Sequence, residues 1–190
     1  MEKFVEIESK AVFLPIENID TDQIIPARFL KATERKGFGE NLFRDWRFDK
    51  NNKAKGSFPL NNSQGKILVA GNNFGCGSSR EHAAWALYDY GFRAIVSTFF
   101  ADIFKNNALN NGLLPIQVRE NEYQQICENS NSTFIVNLKN QILTSDNENI
   151  KVNYEIDSYK KNCLLNGFDD IDFLVSKIEK IKQFESLIVN

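Results

Sequence analysis

The sequence predicts an α/β fold in a single domain spanning 1–190, and three observations carry that expectation. The chain has 190 residues, within the usual range for one domain with a continuous core. A strand, helix and strand follow one another from Lys66 to Phe99, and short strands with polar turns recur after Thr133.

Taken in order, Phe4 to Leu14 alternates apolar and polar positions, which predicts one or two strands closing at Pro15. Asp20, Thr21 and Asp22 precede a short apolar run, where oxygen-bearing side chains can satisfy free backbone amides in a turn or helix cap. From about 31 to 64 the composition shifts to charge, Gly and Asn, with Phe38, Phe43, Trp46, Phe48 and Phe58 scattered through it. A partly helical excursion is expected there, and its aromatics require a packing surface on this chain or on a partner.

KILVAG at 66–71 reads as a buried strand, about Ser79 to Tyr90 as a helix stopped by Gly91, and RAIVSTF at 93–99 as a second strand, giving a βαβ unit. A further helix ends at Gly112 and feeds a strand near Leu113 to Val118. After a helix around Glu120 to Glu128 come three meander strands, at Thr133 to Leu138, Gln141 to Thr144 and Ile150 to Ile156. The tail reads as two helices separated by Gly167.

Composition removes several function classes. With 23 basic and 25 acidic residues the net charge is -2, which gives no field for holding a phosphate backbone, so no nucleic-acid partner is expected. No apolar run approaches the roughly 18 residues of a membrane span, and the start MEKFVEIESK lacks the form of a signal peptide. A cytoplasmic protein without membrane association is the expectation. The three cysteines, Cys76, Cys127 and Cys163, form no CxxC pair, and His82 is the single histidine. No metal site is expected in this chain, and metal chemistry would have to involve another one.

The candidate site is NNFGCGSSREHAAW, which joins the buried strand to the helix. Gly75 and Gly77 permit backbone angles that a Cβ would block. Ser78 with Glu81 reads as a capping box, which starts the helix near Ser79. The first-turn amides, the helix dipole and the guanidinium fork of Arg80 then suit a small anion such as a carboxylate. The plainer alternative is that the serines only cap the helix and Arg80 is a surface charge. The string is neither GxxxxGK(S/T) nor GxGxxG, and Glu81 occupies the place of the second glycine in GxSxG. A serine hydrolase would also need a histidine base oriented by a third group.

GCGSSREHA at 75–83, NIDTDQIIP at 18–26, GFGENLFRDWRF at 37–48, WALYDYGFRAI at 85–95 and FADIFKNNALNNGLLP at 100–115 together resemble the small subunits of bacterial 3-isopropylmalate dehydratases, in the aconitase superfamily. The resemblance covers nearly the whole chain. It implies a swivelling β/β/α domain, similar to the fourth domain of aconitase, that docks on a separate large subunit carrying a 4Fe-4S cluster. It further implies isomerisation of 2-isopropylmalate to 3-isopropylmalate in leucine biosynthesis, by dehydration and rehydration of a small dicarboxylate.

By the same resemblance Ser78 is the catalytic base, while Ser79 and Arg80 bind substrate carboxylate. The segment Arg28, Phe29, Leu30, Lys31 and Ala32 matches the loop that discriminates among substrates, with Phe29 and Leu30 either contacting the isopropyl group or belonging to the core. Arg28 and Arg35 are both candidates for a further carboxylate-binding arginine. His82 is expected to pack, and Cys76 to be a small packed residue with an oxidisable thiol as the alternative. Two other readings stay open: a related diacid substrate such as methylmalate or homocitrate, and an anion-binding module without catalysis.

Overall fold

The computed structural model describes residues 1–31 and 36–188. It contains two four-stranded sheets. Strand β1 (Glu6–Ser9) leads through Lys10 directly into β2 (Ala11–Leu14), and the two strands belong to different sheets. A short helix α1 (Thr21–Ile24), a 3-10 turn at Ala27–Phe29 and helix α2 (Arg44–Arg47) precede β3 (Ile67–Ala70). Then α3 (Glu81–Tyr90), β4 (Ala94–Ser97), α4 (Asp102–Asn110) and β5 (Leu114–Gln117) alternate.

Strands β2, β3, β4 and β5 lie side by side in that order and are all parallel. The second half adds α5 (Glu120–Glu128), β6 (Phe134–Asn137), β7 (Ile142–Ser145) and β8 (Lys151–Asn153). These three strands and β1 form the antiparallel sheet, in the order β1-β6-β7-β8. Helices α6 (Ser158–Asn166), α7 (Asp170–Val175) and α8 (Ile178–Ile188) complete the chain.

The parallel sheet is the middle layer, and strand periodicity decides which core each side chain joins. Leu68 and Ala70 of β3 point to the helical side with α3, Phe74, Phe92 and Phe104, whereas Ile67 and Val69 point to the antiparallel sheet with Phe134, Val136, Leu143 and Val152. Because both faces are covered, β3 and β4 are buried along their whole length, which is why they read as continuous apolar runs. The result is a β/β/α arrangement, as the resemblance implies.

One expectation is corrected, that for the tail. The tail holds three helices rather than two: α6 stops at Gly167, and the following helix is interrupted after Val175, where the Ser176 hydroxyl bonds back to the Phe173 carbonyl at 2.6 Å. The stretch from 36 to 64 is held on this chain's own core. Phe38, Leu42, Phe43, Phe58 and Leu60 are buried in the helical-side cluster, and Asp89 of α3 accepts the amides of Gly37 and Gly39 at 2.9 and 2.8 Å.

Candidate active site

The chain leaves the carboxyl end of β3 and turns at Phe74 to Arg80 before α3 begins. Gly75 has φ +76°, and a Cβ there would stand 2.2 Å from Cγ of the buried Phe104 ring, so only glycine fits. Gly77 has φ +86° and closes against Asp20. These two glycines let the loop reverse while lying flat on the segment before α1.

That segment stitches the loop down. The Gly75 amide donates to the Ile19 carbonyl at 2.8 Å, and the Thr21 amide donates to the Cys76 carbonyl at 3.0 Å. The Thr21 side chain, 2% exposed, donates its hydroxyl hydrogen to the Ser78 carbonyl at 2.9 Å. Asn73 reaches the Asn18 side chain at 2.9 Å, and Arg80 forms an ion pair with Asp22. Helix α1 is itself fixed by a capping box between Asp20 and Gln23, so the loop rests on a locked turn.

Ser78 and Ser79 are exposed, and no hydrogen bond involves the Ser78 hydroxyl among the described residues. Arg80 is half-buried, its side chain 18% exposed, with one arm of the fork on Asp22. The guanidinium is thereby oriented with donors left over for a carboxylate. Three adjacent residues thus present a hydroxyl, a second hydroxyl and an oriented cation on an open surface.

The expected capping box between Ser78 and Glu81 is absent. Helix α3 begins at Glu81 with Arg80 at its N-cap and no side-chain cap, and Glu81 instead accepts from the Asn111 amide group at 2.9 Å. Thr21 holds the Ser78 carbonyl toward α1, and Asn111 draws the Glu81 carboxylate toward α4. Ser78 therefore lies before the helix and outside its first turn, where the dipole is weaker.

Arg28 lies apart from this constellation in its contacts. Its guanidinium makes a bidentate pair with Asp45, one arm at 3.0 Å, and stacks over the Phe29 ring at 4.7 Å; the pair holds the Asp45 carboxyl below the usual carboxylate range. Phe29 and Leu30 are half-buried and pack against the helical-side core. Arg35 and Ala32 lie outside the described residues.

His82 packs, as expected, between Phe38 and Trp85, with ring centroids at 5.3 and 4.5 Å. The Cys76 thiol donates to the Asn18 carbonyl at 3.4 Å, and burial with the nearby Asp20 carboxylate pushes its pKa up, so it stays a protonated thiol at neutral pH. Sequence reasoning missed that Thr21 and Asp22 reach the loop. Both were legible as turn formers, but nothing local shows that a segment 57 positions away supplies their partners.

Among the described residues no group of three or more His, Cys, Asp and Glu side chains is placed to hold a metal ion. The three cysteines sit on the loop, on α5 and on α6. Among the described residues the cysteines do not gather into the ligand set of an iron-sulfur cluster. No helix among the described residues is long and apolar enough to cross a membrane.

Comparison with known proteins places this geometry in a family. Residues 1–121 match the sequence model of the aconitase C-terminal domain. The 3-isopropylmalate dehydratase small subunit of Azobacteroides pseudotrichonymphae is 58% identical over 192 aligned positions, covering 97% of this chain and 98% of that one. That of Christiangramia forsetii is also 58% identical, covering 97% of this chain and 93% of its own. A crystal structure of 3-isopropylmalate dehydratase from Methanocaldococcus jannaschii superposes with a TM-score of 0.69 at 29% identity, covering 95% of this chain and 99% of that one. The chain belongs to the 3-isopropylmalate dehydratase small-subunit family, within the wider family of aconitase C-terminal domains.

Proposed function

We propose that this chain is the proton-transferring and carboxylate-binding part of a two-subunit hydro-lyase of leucine biosynthesis, which interconverts 2-isopropylmalate and 3-isopropylmalate. The observation that carries it is the loop from Gly75 to Arg80, held rigid from below by Thr21 and Asp22 while Ser78 and Ser79 face outward. A rigid constellation on an open surface is one half of a site that a second subunit completes.

Dehydration requires removal of a proton from the carbon beside a carboxylate. Ser78 is assigned as that base. Ser79 and Arg80 receive the carboxylate and balance the charge that develops on it. Phe29 and Leu30 are proposed to meet the isopropyl group with the surface their core contacts leave free. Arg35 remains a candidate for the second carboxylate, and Arg28 would first have to leave Asp45. The 4Fe-4S cluster is assigned to the large subunit, which leaves proton transfer and carboxylate recognition to this chain.

The isolated chain is expected to be silent. A helix terminus contributes up to about 2 kcal/mol, equivalent to roughly 1.5 pKa units, far short of what a serine hydroxyl needs to become a base at neutral pH. Ser78, one loop ahead of α3, receives less than that. The remaining activation is assigned to Arg80, to loop amides and to water exclusion when the large subunit closes over the loop.

Ser78→Ala tests the assignment. Mixed with cluster-loaded large subunit, the variant is expected to lose about 10²- to 10⁴-fold in turnover, the range for a general base, while the subunits associate as before. Turnover within a few fold of the unsubstituted chain would remove Ser78 from the base role.

A further inference from the structure

Helices α7 and α8 carry an apolar stripe that no described residue covers. Ile171, Leu174, Ile178, Ile181, Phe184 and Leu187 recur at three- and four-residue spacing and are each between 42% and 78% exposed. At roughly 100 Å² for each side chain, they expose about 600 Å², the upper end of the apolar patch found on a monomer and most of the ~800 Å² per partner of a standard protein interface. Lys177, Lys180 and Lys182 flank the stripe with Glu179, which pairs with Lys182 at 3.2 Å. An apolar centre with a charged rim is the anatomy of a protein interface.

The start of the stripe is fixed beside the start of α3 and the end of α4. Lys160 of α6 bonds both Asn110 at 2.7 Å and Asp170 at 3.1 Å, and Tyr159 packs edge-on against Phe173 with centroids 4.6 Å apart. Asp169 and Asp170, at the head of α7, share a cavity of ≈ 110 Å³ with Glu81, the residue that follows Arg80. The head of α7 thus lies next to Glu81, at the start of α3. The stripe also lies beyond residue 121, where the aconitase C-terminal match ends, while the match to the separate small subunits covers 97% of this chain.

We infer that the α7–α8 stripe is the docking surface by which this chain holds its large subunit. The inference rests on the proposed two-subunit enzyme and names where the partner attaches. A partner seated over the Ser78 loop has the head of α7 close by, next to Glu81. A second copy of this chain on the same helices would compete for that surface.

The test combines sedimentation of the chain alone with titration against cluster-loaded large subunit, for the unsubstituted chain and for Ile178→Glu with Phe184→Glu. Alone, both are expected to be folded by circular dichroism and monomeric. In the titration the variant is expected to bind the large subunit at least about 30-fold more weakly, as for loss of interface hot spots. If the glutamates unfold the tail, Ile178→Gln with Phe184→Gln carries the same expectation. Equal affinity of variant and unsubstituted chain would overturn the docking surface and leave the two-subunit reading standing. A homodimer of the chain alone that the substitutions dissociate, with large-subunit affinity unchanged, would assign the stripe to a second copy. No association of the unsubstituted chain with the large subunit would overturn both.

Discussion

Thr21 shows how much of the site depends on one small side chain. Its hydroxyl is the side-chain hydrogen bond to the loop at Ser78, and its amide holds Cys76 from the same turn. Thr21→Val keeps the shape and removes the donor. The expected loss is about 1 kcal/mol of unfolding free energy, seen as a lower urea midpoint, because one ordinary hydrogen bond is gone. Turnover of the assembled enzyme should fall by about tenfold or more, since misplacing a reacting group by a fraction of an ångström is costly. An unchanged rate at lowered stability would show that the loop is positioned by other contacts. The glycines, serines and arginine of this loop were readable from the sequence because their chemistry is local. The roles of Thr21 and Asp22 were not, because their partners come from across the fold.

At the scale of elements, the strands were the most legible parts. The apolar run of β3 and the alternation of β6 and β7 each have one burial solution, and the structure adopts it. The start of α3 was less legible: Ser78 and Glu81 have the spacing of a capping box, but tertiary bonds to Thr21 and Asn111 take their polar groups instead. The elements of the second half also bury tyrosines. Tyr154, just after β8, donates to the Asn137 carbonyl at 3.1 Å, and burial raises its pKa; Tyr123 of α5 is raised for the same principal reason. Both phenols keep their protons in the folded chain at a pH where the unfolded chain releases them. Their contribution to stability is full below the ordinary tyrosine range near pH 10 and is lost as pH rises through the folded values, at up to about 1.36 kcal/mol per unit for each group. The urea midpoint should therefore drop between about pH 9 and about pH 11, and less steeply in Tyr154→Phe. A midpoint flat across that window, or one equally steep in the variant, would contradict the assignment.

For the whole molecule, the middle sheet, the rigid loop at its carboxyl edge and the uncovered tail describe a subunit built to be completed. Crevices outside the carboxyl ends of parallel strands are the usual place for ligands in α/β folds, and here that edge carries the loop of Ser78 and Arg80. The α/β class and the order of most elements could be read from hydrophobic periodicity. The excursion at about 31–64 could be read only as partly helical and needing a packing surface, since which surface its described part finds depends on Asp89 and on the helical-side core.

The most direct measurement follows the unsaturated intermediate by ultraviolet absorbance after adding 2-isopropylmalate under anaerobic conditions. Three samples are compared: this chain, the cluster-loaded large subunit, and their mixture. Absorbance in the mixture alone is the expected result. Absorbance from either subunit by itself, or none from a mixture shown to be associated with its cluster intact, would contradict a site shared between the two chains.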